Sequence, residues 1–307
     1  MSIELLQEKI RKKKNPTVLG LDPRPEYIPQ AVIDRNLAEY GQTPTGMANA
    51  YIEFCHGLID ALEPVVPAVK PQAACFEVLG HEGVRALEDV TAYAKSRGLY
   101  VIMDAKRGDI GVSAESYARA YLGKTMIGGT AYAPFDADAV TVNGYLGSDG
   151  ITPFTELCKS DNKAIFLLVK TSNKSSREVQ DLLTGDRLMY TVMADLAMRL
   201  SGELIGQSGY SAIGAVVGAT HPDVLRELRR KYDQLFFLVP GYGAQGAGAA
   251  DVQYAFDRFG HGAIINASRS LMCAWKKTGA DGADYPDASR RAAEEMKNEL
   301  SAFVQVL

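Results

Sequence analysis

Eight short apolar runs recur along this chain, and they constrain its fold more than any other feature. They span residues 17–21, 66–69, 99–103, 139–142, 164–169, 212–217, 235–239 and 262–265, and each gives way to polar or glycine residues. Runs this continuous predict strands buried on both faces, as in a parallel sheet. Between them, apolar residues recur at helical spacing. Met47, Tyr51, Phe54, Cys55, Leu58, Ile59 and Leu62 form one stripe, and Leu188, Val192, Leu196 and Leu200 form a second. Val224, Leu225 and Leu228 form a third, opened by the start signal Pro222-Asp223. A short helix is expected at the N-terminus and a final one over residues 287–306.

Strands alternating with helices over 307 residues predict an α/β fold: one (β/α)8 TIM barrel, a single domain spanning residues 1–307 with loop insertions. The competing doubly wound open sheet usually carries Gly-x-Gly-x-x-Gly after its first strand. Gly20-Leu-Asp-Pro-Arg24 stands there instead. Residues 34–46, 173–185, 202–210 and 276–287 read as insertions or loops.

Composition narrows the function classes. A chain that is 47% hydrophobic and 23% charged belongs among ordinary soluble globular proteins. Its formal net charge of −4 gives no basic nucleic-acid footprint, so an anionic ligand must be met by a local cluster of Lys and Arg. Cys55, Cys75, Cys158 and Cys273 are far apart and form no Cys-x-x-Cys pair. They read as free thiols in a reducing compartment. The basic run at residues 11–14 has no apolar signal-peptide core beside it. No apolar run approaches the ~20 residues of a membrane helix. A cytoplasmic location away from membranes is expected.

In such barrels the catalytic groups sit at the C-terminal ends of the strands. Here those ends carry Asp22; Lys70 and Gln72; Asp104 and Lys106; Asn143; Lys170, Thr171 and Ser172; Thr220 and His221; a glycine-rich loop from Pro240; and Ser268 with Arg269. Asp104 and Lys106 are two residues apart, so they share a face and hold each other ionised. They could form a proton donor with its partner or an ion pair capping the strand, and the residues alone leave both open. Asp109 follows Gly108, which lets the chain turn, so Asp109 need not face its own barrel. It could equally cap a helix, and Ser113 could do the same. Asp22 and Lys70 extend the pair into an alternating array able to grip sugar hydroxyls. Four charges at a buried rim are costly unless a ligand justifies them. The four glycines within residues 241–248 expose N–H groups that can cradle phosphate, and Arg269 matches phosphate geometry. Asn143 and His221 read as supporting residues.

Taken in order, these segments resemble the orotidine 5′-phosphate decarboxylase family. The segment Asp104-x-Lys106-x-x-Asp109-Ile110-Gly111 is similar to its signature. Gly20-Leu-Asp22, Lys70, Thr171-Ser172, the loop Pro240-Gly-x-Gly-Ala-Gln245-Gly246 and Ser268-Arg269-Ser270 are similar to its other motifs. The length resembles the longer bacterial branch. Ser268 departs from the glycine usual before the Arg in the short form.

The resemblance implies decarboxylation of orotidine 5′-monophosphate to uridine 5′-monophosphate and CO2, the last step of de novo pyrimidine synthesis. It implies no metal and no organic cofactor. Lys106 would protonate C6 and Asp104 would lie against the departing carboxylate. Asp22 and Lys70 would bind ribose, Ser172 would read the pyrimidine edge, and Gln245, Ser268 and Arg269 would hold phosphate. A homodimer is implied, with Asp109 and Ser113 entering the neighbouring site. Three rivals share some of these residues: a metal-dependent keto-sugar phosphate decarboxylase, a Schiff-base aldolase using Lys70, Lys106 or Lys170, and a non-catalytic nucleotide-binding barrel.

Overall fold

A strand with apolar residues on both faces must find cover on both, and eight such strands achieve it by closing on themselves. The computed structural model describes residues 2–243, 246–279 and 281–307. Its barrel strands are β1 (Thr17–Leu21), β2 (Ala68–Pro71), β3 (Tyr100–Arg107), β4 (Ala139–Val142), β5 (Ala164–Lys170), β6 (Ile213–Val217), β7 (Phe237–Pro240) and β8 (Ala263–Ala267). Neighbours in sequence pair in parallel all the way round, and β8 closes on β1 through Thr17 opposite Ile265. All eight expected runs are strands, with ends shifted by at most two residues except in β3, which runs on four residues past its expected end. β1, β4, β6 and β8 are buried along their whole length.

The first expected stripe lies on α1 (Pro44–Leu62), where Tyr51, Phe54, Cys55, Leu58, Ile59 and Leu62 are buried. Fully burying each large side chain contributes roughly 1.5–3 kcal/mol. Thr43 starts this helix by accepting the Gly46 N–H at 3.2 Å, with Pro44 in the first turn. The second stripe is offset. On Met189–Ser201 the fully buried face is Tyr190, Ala194, Ala197 and Ser201, while Leu188, Val192, Leu196 and Leu200 are half-buried. Small residues let the helix approach β5 and β6 closely, and the leucines flank that contact. The third stripe buries Leu225 and Leu228 on Pro222–Lys231. The helix at the N-terminus spans Ser2–Lys13, and the last helix spans Tyr285–Ser301.

The segment 34–46, expected as an insertion or loop, is helical except at residues 41–43. Its first part continues the helix Gln30–Tyr40, which buries Val32, Ile33 and Asn36 and stops where Gly41 takes φ +82°. The polar run Asp34-Arg35-Asn36 masks this helix in the sequence. A hairpin pairs Thr125–Ile127 with Thr130–Tyr132. Its turn is Gly128-Gly129, both at positive φ, as a two-residue hairpin turn requires. A smaller hairpin pairs Leu183–Thr184 with Arg187–Leu188.

Candidate active site

The strand ends supply the site, and an irregularity in β3 places its centre. Met103 pairs with Val140 and Arg107 with Val142, so residues 104–106 face Thr141 alone. This bulge puts Lys106 at φ +48°, a left-handed conformation uncommon outside glycine. Thr141 stabilises the bulge from β4. Its hydroxyl accepts the Lys106 N–H at 2.9 Å and donates to Asp104 Oδ1 at 3.0 Å.

Asp104 is the hub. Lys106 Nζ donates to Oδ1 at 2.6 Å, Lys70 Nζ donates to Oδ2 at 2.6 Å, and Gln72 Nε2 donates to Oδ2 at 3.0 Å. Lys70 also stands 3.9 Å from Asp22 Oδ1. The expected alternating order Asp22, Lys70, Asp104, Lys106 is therefore physically continuous. Burial opposes the charge on Asp104, but Lys70 and Lys106 outweigh it and hold the carboxyl well below the usual range. Burial likewise opposes the charge on Lys70, and Asp104 and Asp22 outweigh it and raise its value. Exposure separates the two lysines: the Lys70 side chain is 4% exposed and that of Lys106 is 44%. The inner lysine is locked, whereas the outer one reaches open space.

That space is a cavity of about 530 Å³ at the C-terminal rim, the size of a small-ligand site. Asp22, Lys70, Asp104, Lys106, Ser172, Ser268 and Arg269 all line it. Asp22 Oδ1 and Asn266 Oδ1 are buried without a hydrogen-bond partner among the described residues, and both belong to cavity-lining side chains. Gly20 permits this closeness: a Cβ there would fall 1.9 Å from Ser268 Oγ. After β7, Gly241 and Tyr242 line the cavity, and Tyr242 is tied to Glu299 at 2.5 Å. Gly243 and Gly246 take positive φ in the same loop. Gln245 lies outside the described residues.

Asp109 and Ser113 do not line this cavity. Asp109 accepts the N–H of Ile110 at 2.8 Å, and Ser113 is exposed on the helix Gly111–Tyr121, whose cap residue is Ile110. Neither side chain caps that helix. Gly108 serves close approach and not left-handed turning: a Cβ would meet the Asn143 carbonyl at 2.6 Å. Positive φ falls instead at Gly111. Asn143 supports its own turn by accepting the Tyr145 N–H at 3.1 Å. His221 contacts the Thr171 carbonyl at 3.1 Å, and burial lowers its pKa.

Sequence reasoning missed Thr141, Asn266, Arg24 and Tyr27, all on the cavity wall. Thr141 and Asn266 had a usable signal: each is a polar residue inside an otherwise apolar strand. Arg24 and Tyr27 sit in the connection after β1 and had none.

The fold and the site together define an enzyme-like (β/α)8 barrel that encloses a linked row of acidic and basic groups in a cavity also lined by Ser268 and Arg269. The family model described as orotidine 5′-phosphate decarboxylase / HUMPS family matches residues 18–280, and the chain belongs to this family. It is 42% identical over 288 residues to the orotidine 5′-phosphate decarboxylase of Rhodopirellula baltica, covering 92% of this chain and 93% of that one. It is 38% identical over 299 residues to the namesake from Caldicellulosiruptor bescii, covering 97% of both. Among solved structures, Leishmania donovani OMP decarboxylase aligns with TM-score 0.73 and 33% identity over 98% of each chain. These named relatives are carboxy-lyases.

Proposed function

We propose that this chain converts orotidine 5′-monophosphate to uridine 5′-monophosphate and CO2, with Lys106 as proton donor and with no cofactor. The observation that carries this reading is the ionised Asp104 clamped at 2.6 Å by both Lys70 and Lys106 on the wall of a nucleotide-sized cavity. The bond from C6 to the carboxylate breaks, CO2 leaves, and the electron pair stays on C6. The Lys106 ammonium transfers its proton to C6 and is reprotonated from solvent. Asp104 beside the substrate carboxylate disfavours the bound ground state and loses that repulsion as CO2 departs. Both of its oxygens already take lysine ammonium groups, which supports an electrostatic role without a metal.

The rest of the cavity suits the rest of the nucleotide. Asp22 would accept a ribose hydroxyl on its unpartnered Oδ1, with Lys70 beside it. Ser172 would read the pyrimidine edge. Arg269, Ser268 and the glycine loop with Gln245 would hold the phosphate, remote from the bond that breaks. Binding energy there can organise the site.

Asp109 and Ser113 would serve the neighbouring site of a cytoplasmic homodimer. Ile110 and Val112 beside them are 57% and 77% exposed, which supports an interface on this face. Among the described residues no helix is long and apolar enough to cross a membrane. The test is an absorbance assay with orotidine 5′-monophosphate in EDTA. Turnover there supports the reading, whereas activity lost on chelation and restored by Mg²⁺ would favour a keto-sugar phosphate decarboxylase chemistry.

A further inference from the structure

The wall at Thr171–Ser172 is held from outside the cavity by a segment with no assigned role. Gln180 ends the short helix Arg177–Gln180 and makes two hydrogen bonds to one residue. Its Oε1 accepts the Thr171 N–H at 2.9 Å, and its Nε2 donates to Thr171 Oγ1 at 2.8 Å. The next residue, Asp181, forms an ion pair with Lys170, whose side chain is only 2% exposed. From the other side, His221 contacts the Thr171 carbonyl and Thr220 donates to the Ser172 carbonyl at 3.3 Å. Gly218 completes the grip, since a Cβ there would fall 2.8 Å from Ser172 Cα. Thr171 and Ser172 follow β5 outside any strand, so side chains supply hydrogen bonds to their backbone.

We propose that Gln180 is a positioning residue for nucleobase recognition: its side-chain amide fixes Thr171 so that Ser172 meets the pyrimidine. This rests on the orotidine 5′-monophosphate reading of the cavity. Gln180 itself touches no ligand and acts through Thr171. Its removal therefore costs affinity only for ligands that carry a base. A role in fold stability alone would leave ligand discrimination unmoved in the folded fraction.

The experiment compares binding of uridine 5′-monophosphate and ribose 5-phosphate to the full chain and its variants, with melting recorded for each. Gln180→Met keeps the side-chain length and removes both hydrogen bonds, and Gln180→Ala is the second deletion. Either is expected to weaken uridine 5′-monophosphate roughly tenfold, as loss of one to two net hydrogen bonds predicts, with ribose 5-phosphate changed by less than about twofold. Gln180→Glu still accepts from the Thr171 N–H but has no donor for the Thr171 hydroxyl, whose proton goes to Asn173 Oδ1 at 2.7 Å, and is expected to restore part of the loss. Equal weakening of both ligands, or of neither, would overturn the role of Gln180. Wild-type turnover of orotidine 5′-monophosphate is measured alongside. Its absence would overturn the reading beneath the proposal, whereas normal turnover with unchanged discrimination would sink the proposal alone.

Discussion

Two buried clusters of charge show how differently one fold can treat an ion. At the C-terminal rim, Asp22, Lys70, Asp104 and Lys106 balance one another, and the row is left open at both ends. Lys106 is half-exposed, and Asp22 keeps an oxygen without a hydrogen bond among the described residues. Near the opposite end of β7 and β8, Arg229 is buried with no carboxylate in salt-bridge contact among the described residues. Its guanidinium donates to the carbonyls of Tyr232, Asp233, Leu235, Ala255 and Gly262 and stacks 4.0 Å from Phe237. Burial brings its pKa down to about 10. Every guanidinium nitrogen there has a carbonyl acceptor, so that cluster fastens the chain entering two strands. The rim array is unfinished in the free protein, and an unfinished polar cluster beside a cavity is what a ligand completes.

The sharpest break between the two comes from deleting one cation of each. Lys106→Ala is expected to lower kcat by at least about 10³-fold while the melting temperature stays near wild type. Normal turnover would end its role as proton donor. Arg229→Ala should do the reverse. Five carbonyls lose their donor, at a cost of about 3 kcal/mol or more in urea unfolding, while kcat per folded molecule holds. A large kcat loss in that folded fraction would mean the two clusters are coupled.

Smaller changes sharpen the picture within the site. Arg269→Ala is expected to weaken uridine 5′-monophosphate binding about 100-fold and uridine binding hardly at all, since a charged hydrogen bond contributes about 1.5–3 kcal/mol. Equal effects on nucleotide and nucleoside would remove Arg269 from the phosphate site. Thr141→Val leaves the Lys106 N–H unpaired and removes one hydrogen bond to Asp104. A kcat loss near tenfold is expected, with KM little changed and Thr141→Ser close to normal.

The smallest expected effect is on pH. The Asp104 value is depressed, so its contribution is present above the ordinary carboxylate range and lost only as pH falls through the folded value. The Lys70 value is raised, so its contribution is full below the ordinary lysine value and lost only as pH rises through the folded one. Between about pH 5 and pH 10 both groups therefore keep their charge in the folded wild type, and NMR titration of the Asp104 carboxyl and the Lys70 ammonium should show no step. A step inside that window would mean that this array is not held ionised as described.

Much of this comparison is legible in the sequence, for physical reasons. Buried parallel strands must be apolar on both faces, so the barrel runs stand out, and the polar residues that end them mark the rim. That logic finds Asp22, Lys70, Asp104, Lys106, Ser172, Ser268 and Arg269, all of which line the cavity. It cannot find Arg229, which sits in a helix beside Arg230 and Lys231 and reads as one more solvated charge. Thr141 is hidden because its role depends on a bulge in the neighbouring strand. The helix Gln30–Tyr40 is hidden by its short buried face, and the hairpin around Gly128-Gly129 is visible only to a reader looking for paired glycines. The reason for Gly108 also lies out of reach, because the Asn143 carbonyl that excludes a side chain comes from another strand end.

The most direct test of the central claim is the loss of orotidine 5′-monophosphate absorbance in EDTA, measured for wild type and Lys106→Ala side by side. Steady conversion to uridine 5′-monophosphate and CO2 by the wild type, and none by a folded Lys106→Ala that still binds uridine 5′-monophosphate, is the predicted result. Wild-type protein that turns over nothing, or only after Mg²⁺ is added, would contradict it.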